Sequence, residues 1–255
     1  MVDQKNKPKK QATEPAKFSK VFKTDSELPF KLSRSRIEKY VECPRCSYLD
    51  IQYGIKSPAV PPYVLNLTVD RLLKREFDAY RVKKEPHPIM VKYGIDAIPF
   101  WHENFEDWKN NWKGIQVLHQ PTNFMVAGAV DELWVNPSGE VITVDYKATS
   151  KKEMTNDLHP AFRRQMDVYQ WLLRKFGLAV ARTGYFVFCN AQTDRDALEA
   201  RLDFEMVLVP YLADDSWVEP ALLEIRKCLD NDKPPDANPK CEVCAFVKAT
   251  VERGG

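Results

Sequence analysis

No apolar run in the 255 residues reaches the roughly 18 needed to cross a bilayer, which excludes a membrane-spanning helix of ordinary type. The N-terminus has no apolar h-region of the kind an export signal needs. The expected compartment is therefore the cytoplasm, with no membrane partner. No GxxxxGK[ST] phosphate loop is present, so no nucleotide-driven motor is fused to this chain, and any helicase acting with it would be a separate partner. No internal repeat is visible. The formal net charge is only +2, so no global field advertises a nucleic acid, and any basic surface must be local.

What is present suits one α/β domain with a sizeable core, since 44% of the residues are hydrophobic. Residues 1–28 stand apart. They carry seven lysines through Lys23, with Pro8, Pro15 and little apolar content, and such a stretch cannot offset its ordering entropy by burial. A solvated, disordered tail is expected there, and one domain over 29–255. Ser33 or Ser35 can cap a helix through residues 37–50, and a proline-rich break follows from Ser57 to Pro62. Residues 65–83 place Leu65, Val69, Leu72, Leu73 and Phe77 on one helical stripe. A shorter helix is expected over 102–112, with Trp101, Trp108 and Trp112 read as core rather than as platforms for stacking bases.

The middle of the chain reads as strands. Residues 114–120 (GIQVLHQ) form one, and 124–136 (FMVAGAVDELWVN) and 140–149 (EVITVDYKAT) form two more, joined by a turn at Asn136, Pro137, Ser138 and Gly139. A helix over 159–177 ends on glycine. Strands at 183–191 and 200–210 and a helix at 217–230 follow, and residues 231–255 close the chain. This order predicts a central mixed β-sheet flanked by helices.

Alternation along EVITVDYKAT puts Val141, Thr143, Asp145 and Lys147 on one face and Ile142, Val144 and Tyr146 on the other. Alone, Asp-x-Lys reads as a strand-end ion pair. The preceding strand, however, carries Asp131 opposite it, and two carboxylates buried together repel. A divalent cation such as Mg²⁺ removes that cost, and a neighbouring lysine can orient water or offset phosphate charge. The next helix adds Gln165 and Tyr169, one turn apart on one face.

Gly128 to Asp131, Asp145 to Lys147 and Gln165 to Tyr169 together resemble the GxxD, (D/E)xK and QxxxY series of the RecB-type branch of PD-(D/E)xK nucleases, which includes the CRISPR-adaptation exonucleases. The resemblance spans roughly residues 31–250. It implies a restriction-endonuclease-like core and a deoxyribonuclease, exonuclease or endonuclease, whose substrate is DNA, single-stranded forms included. DNA repair or adaptation machinery would be its setting. It also implies that Asp131, Asp145 and the Tyr146 carbonyl bind Mg²⁺ or Mn²⁺, that Lys147 is catalytic, and that Gln165 and Tyr169 line the nucleic-acid groove. The branch usually places a metal-binding histidine on the helix before the sheet. Here Asp70 occupies about that position, with Glu76 the second candidate, while His87, His102, His119 and His159 lie elsewhere and read as surface or structural. A catalytically silent nucleic-acid-binding module of the same fold is the alternative.

Cys43 with Cys46, and Cys241 with Cys244, are two CxxC pairs separated by nearly the whole chain. In a reducing compartment they point to one four-thiolate site. Zinc is the plain occupant of such a site. The resemblance instead implies a [4Fe–4S] cluster clamping the chain ends, although the relatives commonly use one N-terminal and three C-terminal cysteines and this chain has two and two. Cys189 and Cys228 read as small buried hydrophobes.

Overall fold

The structure is a computed structural model and describes residues 17–58, 61 and 63–254. The elements in chain order are β1 (Phe30–Ser33), α1 (Arg34–Glu42), α2 (Pro44–Tyr53), α3 (Val64–Lys83), α4 (Pro88–Lys92), β2 (Ile98–Pro99), α5 (Phe105–Trp108), β3 (Ile115–His119), a 3-10 turn (Gln120–Thr122), β4 (Phe124–Gly128), β5 (Glu132–Val135), β6 (Val141–Thr149), α6 (Pro160–Phe176), β7 (Thr183–Ala191), β8 (Phe204–Leu212), α7 (Val218–Leu229) and α8 (Glu242–Gly254). The fold is mixed α/β, with mixed sheets flanked by helices.

The strands form two sheets, ordered β1-β4-β3 and β2-β5-β6-β7-β8. Residues 124–136 are therefore not one strand. The chain leaves β4, which pairs with β1 and β3, and re-enters as β5, which pairs antiparallel with β6 in the other sheet. The β5–β6 hairpin turns at Asn136–Gly139, where Gly139 holds φ +80° and the Asn136 side chain accepts from the Glu140 amide at 2.9 Å. β6 and β7 run parallel, and α6 provides the crossover between them. Gly177, at φ 104°, stops α6 in the left-handed conformation a helix end favours.

β6 is buried on both faces. Ile142, Val144 and Tyr146 pack with Val69, Leu73 and Phe77 of α3, and Val141 packs with Val168, Tyr169 and Leu172 of α6. Leu65 and Leu72, expected on the buried stripe of α3, are exposed, and Arg81 is buried in their stead.

Several expectations change. Residues 1–16 of the expected tail lie outside the described residues, and residues 17–28 are mostly exposed but anchored at Ser19 and Phe22. Ser19 bridges to Phe30, and the buried Phe22 ring meets Phe30 and Phe124 edge-on at 5.5 and 6.3 Å. Trp108 is core, whereas Trp101 and Trp112 are 71% and 86% exposed, because the expected helix over 102–112 shrinks to the four residues of α5. The first expected helix is two helices, broken at Cys43. Residues 242–254 form α8, a helix with no buried residue. Among the described residues, no helix is long and apolar enough to cross a membrane.

Candidate active site

Asp145 and Lys147 stand two residues apart on β6, facing Gln165 of α6. The Lys147 ammonium pairs with Asp145 Oδ2 and lies 3.3 Å from Gln165 Oε1. The Phe162 ring covers it at 4.6 Å, a cation–π contact that limits where it can swing. Gln165 Nε2 donates to Asp145 Oδ1 at 2.7 Å and to the Tyr169 hydroxyl at 3.1 Å. Asp145, Lys147, Gln165 and Tyr169 thus form one hydrogen-bonded unit across the strand–helix interface.

Asp131 joins them from residues 129–131, the irregular link between the sheets. The Tyr146 amide donates to its Oδ2 at 3.2 Å, which ties the link to β6. Glu132, the next residue, turns the opposite way. It is buried on Arg81, accepts from the Leu133 amide at 2.8 Å and from the Tyr146 hydroxyl at 3.2 Å, and has its pKa raised to about 7 by burial against the pull of Arg81. Its role is therefore to support β5 from within the core.

A cation already stands among the acids. Lys74 of α3 reaches Asp70 at 2.9 Å and Asp131 at 3.1 Å. Burial works against this ammonium, yet the two carboxylates hold its pKa above the usual lysine value. Glu76 points elsewhere, 2.8 Å from His87 Nε2. His87 and His159 cap α4 and α6, and His119 lies 2.8 Å from Thr122, so three of the four histidines serve structure.

Asp145 has no exposed surface, and its pKa is raised to about 7. Burial is the main cause, Lys147 opposes it and the Asp131 charge adds to it. A buried carboxylate facing a second one is a pair that a hard cation would relieve, and carboxylate and carbonyl oxygens are the donors Mg²⁺ and Mn²⁺ take. The residues fit such an ion.

Gly128 explains the local architecture. A Cβ there would lie 2.9 Å from Leu172 Cδ1 and 3.0 Å from Tyr169 Cε1, so glycine is what lets α6 approach β4 and bring Tyr169 to the site. Beside Tyr169 opens a pocket of about 230 Å³, lined by Lys31, Arg34, Ser33, Ser35 and Lys113 among others. The exposed Trp112 stands next to Lys113 in sequence, and its carbonyl accepts from Lys31 at 2.7 Å. Sequence reasoning missed Lys74 and these basic residues. An i, i+4 spacing from Asp70 was the available signal for Lys74, whereas Lys31, Arg34 and Lys113 are gathered only by the fold.

The four cysteines also come together, with all four Sγ atoms within 4.8 Å of one another. Among the described residues this is the one group of three or more His, Cys, Asp or Glu side chains so tightly gathered. Thiolates are the ligands that both zinc and iron–sulfur clusters take. Asp70, Asp131 and Asp145 do not converge as closely, because Lys74 lies between the first two.

No curated protein matches the chain. Among solved structures, the crystal structure of SSO0001 is similar at 14% identity over 86% of this chain and 84% of that one, with a TM-score of 0.39. A likeness so loose bears no weight. A family model described as the PD-(D/E)XK nuclease superfamily, whose members typically cleave phosphodiesters and generally use divalent metals, matches residues 31–249. That span takes in both sheets, α6 and every residue of the carboxylate–lysine unit, and the chain belongs to the PD-(D/E)XK nuclease superfamily.

Proposed function

We propose that this chain is a divalent-metal-dependent nuclease that hydrolyses phosphodiester bonds of DNA. The observation that carries the reading is the unit of Asp145, Lys147, Gln165 and Tyr169, with Asp131 alongside it. The succession of the three motifs supports the RecB-type branch within the superfamily.

Asp131, Asp145 and the Tyr146 carbonyl would hold Mg²⁺ or Mn²⁺, with Asp70 as the further donor. When bound, such an ion supplies a polarised phosphoryl oxygen and a water of lowered pKa. Lys147, steadied by Gln165 and Phe162, would orient an attacking water and offset charge on the phosphate. Gln165 donates to the Tyr169 hydroxyl oxygen, which leaves the phenolic proton free for a phosphate oxygen. Burial raises the Tyr169 pKa, so the proton stays in place at working pH. Lys31, Arg34 and Lys113 would receive the neighbouring phosphates, and the exposed indole of Trp112 would stack a base. That pairing suits a single strand. Duplex DNA would need a separate helicase, within repair or adaptation machinery.

The Lys74 ammonium between Asp70 and Asp131 favours a second reading, a catalytically silent module that binds nucleic acid with the same pocket. One comparison separates the two. Purified protein is incubated with single- and double-stranded DNA in Mg²⁺ or Mn²⁺ beside Lys147→Ala. Cleavage is expected from the parent protein and a loss of at least about 100-fold from the variant, with its circular dichroism unchanged. Equal inertness of both proteins on every substrate and metal sinks the enzymatic reading.

A further inference from the structure

The Sγ–Sγ separations are 3.7 Å for Cys43 and Cys244, 3.7 Å for Cys46 and Cys241, and 3.6 Å for Cys46 and Cys244. Four thiolates each about 2.3 Å from one central ion stand roughly 3.8 Å apart along the edges of a tetrahedron. A cube of four irons binds each thiolate at a different corner and so holds them roughly 6 Å apart. Three of the six separations here match the tetrahedral edge, and all six stay within 4.8 Å, short of the cubic spacing.

Both walls of the site are pinned at that spacing. Cys43 ends α1 and caps α2, and its sulfur accepts from the Cys46 amide at 3.5 Å. α2 is anchored to the core through the Tyr48 hydroxyl, which donates to the Asn231 carbonyl at 2.7 Å, and the Gln52 amide, which donates to the Leu229 carbonyl at 2.6 Å. On the other side, the Asn238 side chain donates to the Glu42 carbonyl at 2.7 Å, and Arg45 donates to the Pro235 carbonyl at 2.9 Å. These bonds hold the backbone on both sides of the site in place.

We propose that Cys43, Cys46, Cys241 and Cys244 form a closed structural zinc site holding one tetrahedral ion, in place of the [4Fe–4S] cluster that the motif resemblance implies. The protein supplies all four ligands and leaves no position for water or substrate, which is the pattern of a structural rather than a catalytic zinc. A four-thiolate set favours a soft ion, so Mg²⁺ or Mn²⁺ at the carboxylates does not compete for it. Zinc also outranks ferrous iron in affinity for such ligands. The cysteine site lies apart from the carboxylates, and its ion does not depend on whether they cut DNA.

The test is the composition of full-length protein, expressed in medium supplied with both iron and zinc and purified anaerobically without added metal. About one zinc per chain is expected, with no acid-labile sulfide and no broad absorbance at about 400 nm. Exchange into Co²⁺ should give the visible ligand-field bands of a tetrahedral thiolate site. Iron with labile sulfide and the 400 nm band, a single iron, or no bound metal would each overturn the proposal. Cys241→Ser and Cys244→Ser sit beside or on α8, which buries no residue, so these variants should still fold while losing zinc at least tenfold. Full zinc retention in both would also overturn it.

Discussion

Asp145 meets no solvent, and in the metal-free chain its carboxyl holds a proton up to about pH 7. The unfolded chain gives up that proton near the ordinary carboxyl value of 3.8. The protonated group's contribution to stability is therefore complete below about pH 4 and is lost as pH rises through about 7. In chelator, Asp145→Asn should gain stability relative to the parent between pH 5 and 8, measured as the difference in Tm. Added Mn²⁺ should remove that advantage by neutralising the parent's carboxylate. A Tm difference that is flat with pH would contradict the assignment. Lys74 sets a second residue-scale expectation. Its ammonium occupies Asp70 and Asp131, two acids a dication would use, so Lys74→Met should tighten Mn²⁺ binding by about tenfold, or roughly 1.4 kcal/mol. Calorimetry reads this directly, and weaker binding in the variant would mean that Lys74 helps to shape the site instead of competing for it.

At the scale of elements, the contact of α6 with β4 decides where Tyr169 lies. Gly128→Ala forces a methyl against Leu172 and the Tyr169 ring, and overpacking of this kind costs about 1–3 kcal/mol. Urea unfolding should show that loss, and any cleavage activity should fall further than stability because Tyr169 is displaced. Elements such as β6, β7, α6 and the hairpin turn were legible because their signals are local: alternation, a 3.6-residue stripe, a turn of Asn, Pro, Ser and Gly, and a terminal glycine. Asp145, Lys147, Gln165 and Tyr169 could be read for the same reason, since each sits on one regular element. The division of residues 124–136 between two sheets was not legible. Hydrophobicity marks a segment as buried but does not say beside which strand, and β4 ends at Gly128, where α6 packs closely. Phe22 was hidden inside a lysine-rich composition. Lys74 stands one helical turn from Asp70, but only the fold brings Asp131 to it. Asp167, within the Gln165–Tyr169 turn, likewise serves the scaffold by accepting from the Tyr211 hydroxyl, the Trp217 indole and the Asp214 amide at 2.9–3.1 Å.

For the whole molecule, the cysteine site joins α2, firmly packed, to α8, which contributes nothing to the core. The attachment of α8 therefore rests on the cysteine site, with the ion proposed there, and on the few bonds that lead into it. A thiol-selective chelator should strip hydrogen-exchange protection from residues 241–254 while β6 and α6 keep theirs. Uniform loss across all three would show that the site supports the entire fold. The chain's passage from one sheet to the other has a consequence of its own. Residues 129–131 belong to neither sheet, yet they connect the two and carry Asp131, while Asp145 rides within the second. Asp131 is nonetheless held to β6 by the Tyr146 amide and is followed at once by β5, so a slip of one sheet against the other would bend residues 129 and 130 before it parted the two acids. The tether insulates the spacing of the acids from the first sheet, so under the proposed metal-dependent function a packing defect around β1, β3 or β4 would lower stability before it changed the affinity for the ion.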